Sequence, residues 1–211
     1  QDLNIVHVWG GNLYYCSWCN NGAGITNFTR SDRLQTGGWG DRYDPFMKLD
    51  LTGLPVDSTF AALYFMPFPV SGTTTPFAFC SNDSTWDLSM VWGTQLARTC
   101  YGYYAAPTPG TWWGIDVTSW YNGWKNGTKF DGGISMFPQN TNNNFDAFRS
   151  SAYADYVNDS SADGKRPILR LDFTPTLELK MPLPGGYAWL LTNEIGGYEC
   201  MGKSPWPDTA H

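Results

Sequence analysis

Apolar and polar residues alternate with period two through the middle of the chain. Phe46–Leu51 reads FMKLDL, Phe60–Phe65 FAALYF, Gly133–Phe137 GISMF and Ile168–Phe173 ILRLDF. Neighbouring side chains on a strand point to opposite faces, so each run predicts a strand with one face toward a core. Gly, Pro and Asn cluster between the runs, and those residues supply the backbone geometries of tight turns. FPVSGTTTPF and PQNTNNNFD read as polar loops of this kind. No helical pattern of ten or more residues separates the strands, whereas a parallel sheet needs such crossovers. The expected fold is therefore all-β, an antiparallel β-sandwich.

One short helix is expected in Gly110–Thr128, GTWWGIDVTSWYNGWKNGT, which holds four tryptophans. Strand parity from Thr111 to Val117 puts Trp113, Ile115 and Val117 on one face and Trp112 and Asp116 on the other. Asp116 or Thr118 can then cap a helix on which Val117, Trp120, Tyr121 and Trp124 recur at i, i+3, i+4 and i+7. Asn126-Gly127 supplies its stop. Trp113, Trp120 and Trp124 are thus expected in the core, and Trp112 is left over.

Composition narrows the partners. The chain has 211 residues, 42% of them hydrophobic and 15% charged, enough to bury a sizeable core in one domain. A net charge of −6 argues against the basic surface that nucleic acid requires, so no nucleic-acid partner is expected. No window is apolar enough over the roughly 18 residues of a membrane span. The N-terminal QDLNIVHVWGG lacks the basic and apolar regions of a signal peptide. Low charge, 23 Gly and 14 Pro fit a turn-rich extracellular or cell-surface protein, expected with its signal peptide already removed. Of five cysteines, Cys80 and Cys100 flank a hairpin-sized loop and are the favoured disulfide. Cys16 and Cys19, in YCSWCNNG, are expected to bond locally, or one of them with Cys200, because no second CxxC and no nearby histidine completes a zinc set. Asn27, Asn82, Asn126 and Asn158 begin Asn-x-Ser/Thr glycosylation sequons.

Seven short motifs then carry a family resemblance. FMKLDLTGLP (Phe46–Pro55), ALYF (Ala62–Phe65), WDLSMVWGT (Trp86–Thr94), WWGIDVTSWYNGWKNGT (Trp112–Thr128), GGISM (Gly132–Met136), FRSSA (Phe148–Ala152) and RPILRLDF (Arg166–Phe173) occur in order. They resemble the strand and helix signatures of DNRLRE-type domains over about residues 31–173. Those are jelly-roll β-sandwiches of secreted, mostly bacterial, multidomain proteins, some grouped with carbohydrate-binding modules. The resemblance implies a jelly-roll-like sandwich, with Ala152 standing where an acidic residue is common. The tail, LELKMPLPGGYAWLLTNEIGGYEC…PDTAH (about 176–211), is similar to the opening segment of lysostaphin-like zinc endopeptidases, which cut cell-wall peptides. That similarity implies His211 as a first zinc ligand, without the aspartate and the later His-x-His pair. Zinc hydrolysis takes three protein ligands and an open position, so no zinc and no cleavage are expected of the tail. His7, in IVHVW, reads as a strand residue. The expected organisation is a β-sandwich over residues 1–173, N-terminal strand included, and an extension over 174–211.

A glycosidase needs two carboxylates across a cleft, and nothing in the spacing of the 19 acidic residues selects a pair. No Gly-rich phosphate cradle and no GxSxG elbow occurs. Structural calcium is the one cofactor considered, held by SDRL…GDRYDP (Ser31–Pro45) or ADYVNDSSADG (Ala154–Gly164), although neither has the alternating aspartates of a calcium loop. Aromatic loops offer more. Sugar rings present an apolar face and a rim of hydroxyls, which suit a flat indole or phenol beside amides and carboxylates. GGWGDRYD sets Trp39 and Tyr43 beside Asp41, Arg42 and Asp44, and CYGYYAAP sets Tyr101, Tyr103 and Tyr104 next to Trp112 across a short turn. The candidate glycan-binding residues are Trp39, Tyr43, Tyr103 and Trp112; aromatics in such places also cap the open ends of a sandwich. The expected function is a non-catalytic module attaching to polysaccharide or peptidoglycan. A rival is a fibre subunit that adds LNIVHVW or LELKMPL to a neighbour's sheet. A third reading is the non-catalytic part of a wall peptidase.

Overall fold

The computed structural model describes residues 2–4, 8–29, 33–70, 72–93, 96–150, 165–173, 176–183, 186–194 and 197–200. His7, Ala152, Ala154–Gly164 with Asn158, and His211 lie outside them. In chain order the first strands are β1 (Asp2–Asn4), β2 (Val8–Cys16), β3 (Ile25–Thr29), β4 (Arg33–Gly38), β5 (Arg42–Leu49), β6 (Phe60–Phe65), β7 (Pro67–Phe68) and β8 (Phe77–Asn82). There follow β9 (Arg98–Tyr104), β10 (Trp113–Asp116), the helix α1 (Thr118–Asn126), β11 (Ile134–Pro138), β12 (Asn144–Arg149) and β13 (Ile168–Asp172). The last three are β14 (Thr176–Leu183), β15 (Gly186–Glu194) and β16 (Gly197–Cys200).

Two antiparallel sheets pack as the expected all-β sandwich. Among the described residues the smaller runs β1-β13-β6-β10 and the larger β7-β12-β4-β5-β11-β8-β9, with β2 on the other side of β5 and β3 on β2. Period-two patterning builds the space between them. Leu34, Met47, Phe77, Phe79, Ile134, Met136 and Phe148 face Ala61, Leu63, Phe65, Ile115, Leu169 and Leu171, all buried. Each large side chain so buried contributes on the order of 2 kcal/mol of hydrophobic stabilisation.

The helix closes one end of this core. Asp116 Oδ1 accepts the backbone N–H of Thr118 at 2.8 Å, so Asp116 holds the first turn from just before it, while Val117 occupies the cap position. Thr118 Oγ1 accepts the Ala61 N–H at 2.9 Å and docks the helix on β6. Gly127, at φ 76°, ends it in the left-handed conformation. Trp113, Trp120 and Trp124 join the core as the helical spacing and strand parity require.

Tyr101 and Tyr104 meet different tryptophans from the expected one. β9 pairs Tyr103 with Ala78 and Cys100 with Cys80, so it holds one residue more than β8 between those points. The resulting bulge turns both Tyr101 and Tyr104 inward, Tyr101 onto Trp120 and Tyr104 onto Trp113. Neither ring pairs with Trp112 in the way the short-turn reading supposed.

A second apolar layer covers the outer face of the larger sheet. Phe46 and Leu13 sit at outward parity and pack beneath Trp86 and Met90. Trp92 stacks on Tyr15, with 5.0 Å between centroids, and the Arg42 guanidinium lies 5.0 Å over Trp92. The residues between β8 and β9 thus form a strap. All six residues of β8 are buried, because the core lies on one side and the strap on the other. The Cys80–Cys100 disulfide joins partner positions of β8 and β9 and closes the strap at its base.

The first and last described strands pair within the chain. Asp2–Asn4 joins β13 and Val8–Tyr15 joins β5, so the LNIVHVW run is built into the two sheets on either side of residues 5–7. In the tail, β14, β15 and β16 form a three-stranded antiparallel sheet of their own.

Candidate functional site

At the end of β4 the chain turns sharply into β5 through Gly37-Gly38-Trp39-Gly40-Asp41. Gly37 lies at φ 113°, and a Cβ there would run into the backbone oxygen of Asn144, which explains why glycine occupies this position. The turn is held by two hydrogen bonds. The Trp39 N–H donates to Asp41 Oδ1 at 2.7 Å, and the Gly40 N–H donates to the Thr141 carbonyl at 3.1 Å. The inner face of Trp39 rests on Phe145, 4.7 Å between centroids, and the residue remains 45% exposed.

Trp18 stands beside it. The Cys16–Cys19 disulfide closes a loop of two intervening residues, too short to fold Trp18 inward. Trp18 is 62% exposed, and its Nε1 lies 3.9 Å from where a Gly40 Cβ would be. Two accessible indoles therefore flank one turn.

Beneath them Tyr14 packs at a tilt against Tyr43, 4.7 Å between centroids, and Tyr43 meets Phe145 edge-on at 6.1 Å. Burial, then the charge of Asp41, raises the pKa of both phenols, so they stay neutral donors beside that carboxylate. Tyr43 is thus a support under the surface, not part of its face. Asp41 is 7% exposed, buried beside these two half-buried phenols.

Strand parity separates the other charged residues of GGWGDRYD from this surface. Arg42 and Asp44 project under the strap, where Arg42 Nε donates to Asp44 Oδ1 at 2.8 Å. Burial pushes the Asp44 carboxyl up to about 6 against the opposing pull of Arg42. Asp41 and Asp44 thus project into different surroundings, and Ser31 and Asp32 of the calcium reading lie outside the described residues. Among the described residues no three His, Cys, Asp or Glu side chains gather as a metal site would need.

Tyr103 and Trp112 lie elsewhere. Tyr103 is 59% exposed on β9, three strand positions from β5, or about 14 Å at the usual ~4.8 Å spacing. Trp112 is half-buried just before β10. A shallow groove of about 570 Å³ between these two end strands is lined by Tyr101, Tyr104, Asp116, Thr118 and Ser119. Of the four expected glycan residues, Trp39 and Tyr43 are the pair brought together. Trp18 was missed; its signal is a tryptophan trapped between two bonded cysteines.

The sequons also separate. Asn82 is fully buried, its Oδ1 accepting the Ser135 hydroxyl at 2.6 Å. Asn126 is exposed, its Oδ1 accepting the Thr128 N–H at 3.0 Å. The Asn27 side chain, like Asn158, falls outside the described part.

Neither the models of known protein families nor the curated proteins contain a match to this chain.

Proposed function

We propose that the chain is a non-catalytic extracellular module that attaches to a glycan through the surface formed by Trp18 and Trp39. The observation that carries this reading is Trp39 itself: an exposed indole whose other face is fixed on Phe145 and whose turn is fastened by Asp41 and Thr141. A platform already rigid loses little entropy when a sugar ring settles on it. Two disulfides fit an oxidising compartment outside the cell, and no described helix is long and apolar enough to cross a membrane. Retention of the purified chain on insoluble polysaccharides and on wall sacculi tests the proposal. Trp39→Ala should abolish retention without lowering the melting temperature by more than a few degrees; unchanged retention overturns it.

A fibre subunit is the second reading. The observation favouring it is the pair of end strands β9 and β10, whose outer edges carry no partner strand among the described residues and border the same groove. The N-terminal run and β14 both pair within the chain, so either would have to leave its own partner strand to add to a neighbour. Filaments in negative stain that vanish when 177–183 is deleted would favour this reading over attachment.

A further inference from the structure

We infer that the Trp18–Trp39 surface takes an uncharged polysaccharide chain, with Trp18 as a second contact beside Trp39. This rests on the attachment reading and adds to it the ligand class. The charge inventory carries the inference. The segments that build the surface are residues 10–24 (GGNLYYCSWCNNGAG), 37–41 (GGWGD), 72–76 (GTTTP) and 139–145 (QNTNNNF), and they hold no lysine and no arginine. Their one ionisable acid is Asp41, which is buried and committed to the Trp39 N–H and to the two phenols. The nearest cation in sequence, Arg42, is drawn under the strap by Asp44 and Trp92.

A uronate, sulfate or phosphate polymer would find no opposite charge here, and recognition of such groups draws on Arg or Lys forks. A neutral sugar finds what it needs. Its apolar C–H face matches the indoles, and its hydroxyls match the carboxamides of the neighbouring loop. That loop is in place: the Asn143 carboxamide oxygen and the Trp39 Nε1 lie equally close, 3.6 Å, to where a Gly72 Cβ would be. Asn143 itself sits in the left-handed region at φ 58°, and the Gly40 N–H bond to Thr141 ties its loop to the tryptophan turn. Because Trp18 and Trp39 flank the same glycine, consecutive sugar units can cover both, so a chain and not a single sugar is the occupant.

Affinity electrophoresis of the purified chain decides it. Gels would carry galactomannan, hydroxyethylcellulose or laminarin on one side and alginate, polygalacturonate or hyaluronate on the other, with wall sacculi in a parallel pull-down. Retardation is expected in at least one neutral gel and in none of the anionic ones. It should change less than about twofold between ~0.05 and ~0.5 M salt, because no ion pair is there to screen. Trp18→Ala and Trp39→Ala should each weaken it about tenfold or more, and Trp18→Phe should retain most of it, with melting curves confirming that each variant is folded. Binding only to anionic polymers or only to sacculi would overturn the neutral ligand and leave attachment standing. Neutral binding indifferent to Trp18→Ala would remove Trp18 from the site. A dimer in light scattering that Trp18→Ala dissociates would make the surface a self-contact and overturn the inference. Binding to nothing would overturn the attachment reading and this inference with it.

Discussion

Tyr101 lies flat on Trp120, with 4.2 Å between ring centroids and 6° between ring planes. Phe79 is nearly parallel on Trp120 as well, at 5.8 Å and 10°. Aromatic contact thus runs from the end strand β9 through the helix to β8, tying the helix to the larger sheet while Thr118 ties it to the smaller. Trp120→Ala would empty the centre of this stack and should cost about 3–5 kcal/mol, with Trp124→Ala similar and Trp112→Ala far less. Denaturant melts of the three variants check this; a fully stable Trp120→Ala would refute the packing.

Asp146 sets a pH dependence. Its carboxyl is 4% exposed, accepts the Thr75 N–H at 3.1 Å, and is pushed by burial up to about 6. Its value in the unfolded chain is about 4. Between those values the folded chain holds a proton that the unfolded chain has released. The contribution to stability is therefore fully present below pH ~4 and lost as pH rises through ~6. Asp44, raised to about 6, acts with the same sign. Asp146→Asn keeps an acceptor for Thr75 and should flatten the fall in stability between pH 4 and 7, gaining on the order of 1–2 kcal/mol at pH 7. Melting temperatures across that range give the answer, and an unchanged slope in the variant would count against it.

The Cys80–Cys100 disulfide closes a segment with a sequence separation of 20. Replacing both cysteines by alanine should lower stability by about 3 kcal/mol. It should also free the strap over Phe46 and Leu13, seen as earlier proteolysis within residues 83–97 and binding of an apolar dye. Loss of stability with no change in cleavage would show that the strap is held by its own packing.

Zinc should matter little. Residues 174–211 contain one histidine, His211, where zinc hydrolysis takes three protein ligands, so metal analysis of the purified chain is expected to find well under one zinc per molecule, and a chelator should leave its melting temperature unchanged. One zinc retained through dialysis would reverse this expectation.

The strands legible in the sequence are those that face the core on one side and less apolar surroundings on the other. FAALYF and ILRLDF alternate, and they form β6 and β13. FAFCSN does not alternate, because the strap buries its second face, so β8 gave no periodic signal. The apolar residue at outward parity in FMKLDL, Phe46, was the trace of that second layer. Around the candidate site, Trp39 and Tyr43 could be read as neighbours because five residues of chain contain both. Their separation into platform and support could not, since it depends on Tyr14 and Phe145 arriving from two other strands. The bulge between Cys100 and Tyr103 was hidden for a similar reason: one extra residue in β9 has meaning only against the length of β8.

The turn that carries Trp39 runs directly into β5, which is hydrogen-bonded to β2 on one side and to β4 and β11 on the other. Tension on a polymer held at Trp39 would therefore enter a strand that is paired along both of its edges. Ladder bonds lie across the strands, so a pull along β5 loads many of them together, in shear. An anchor placed on an end strand such as β10 would instead peel away one bond after another. A tether built on the Trp39 turn should yield at the sugar before the protein, letting go and rebinding under drag without unfolding.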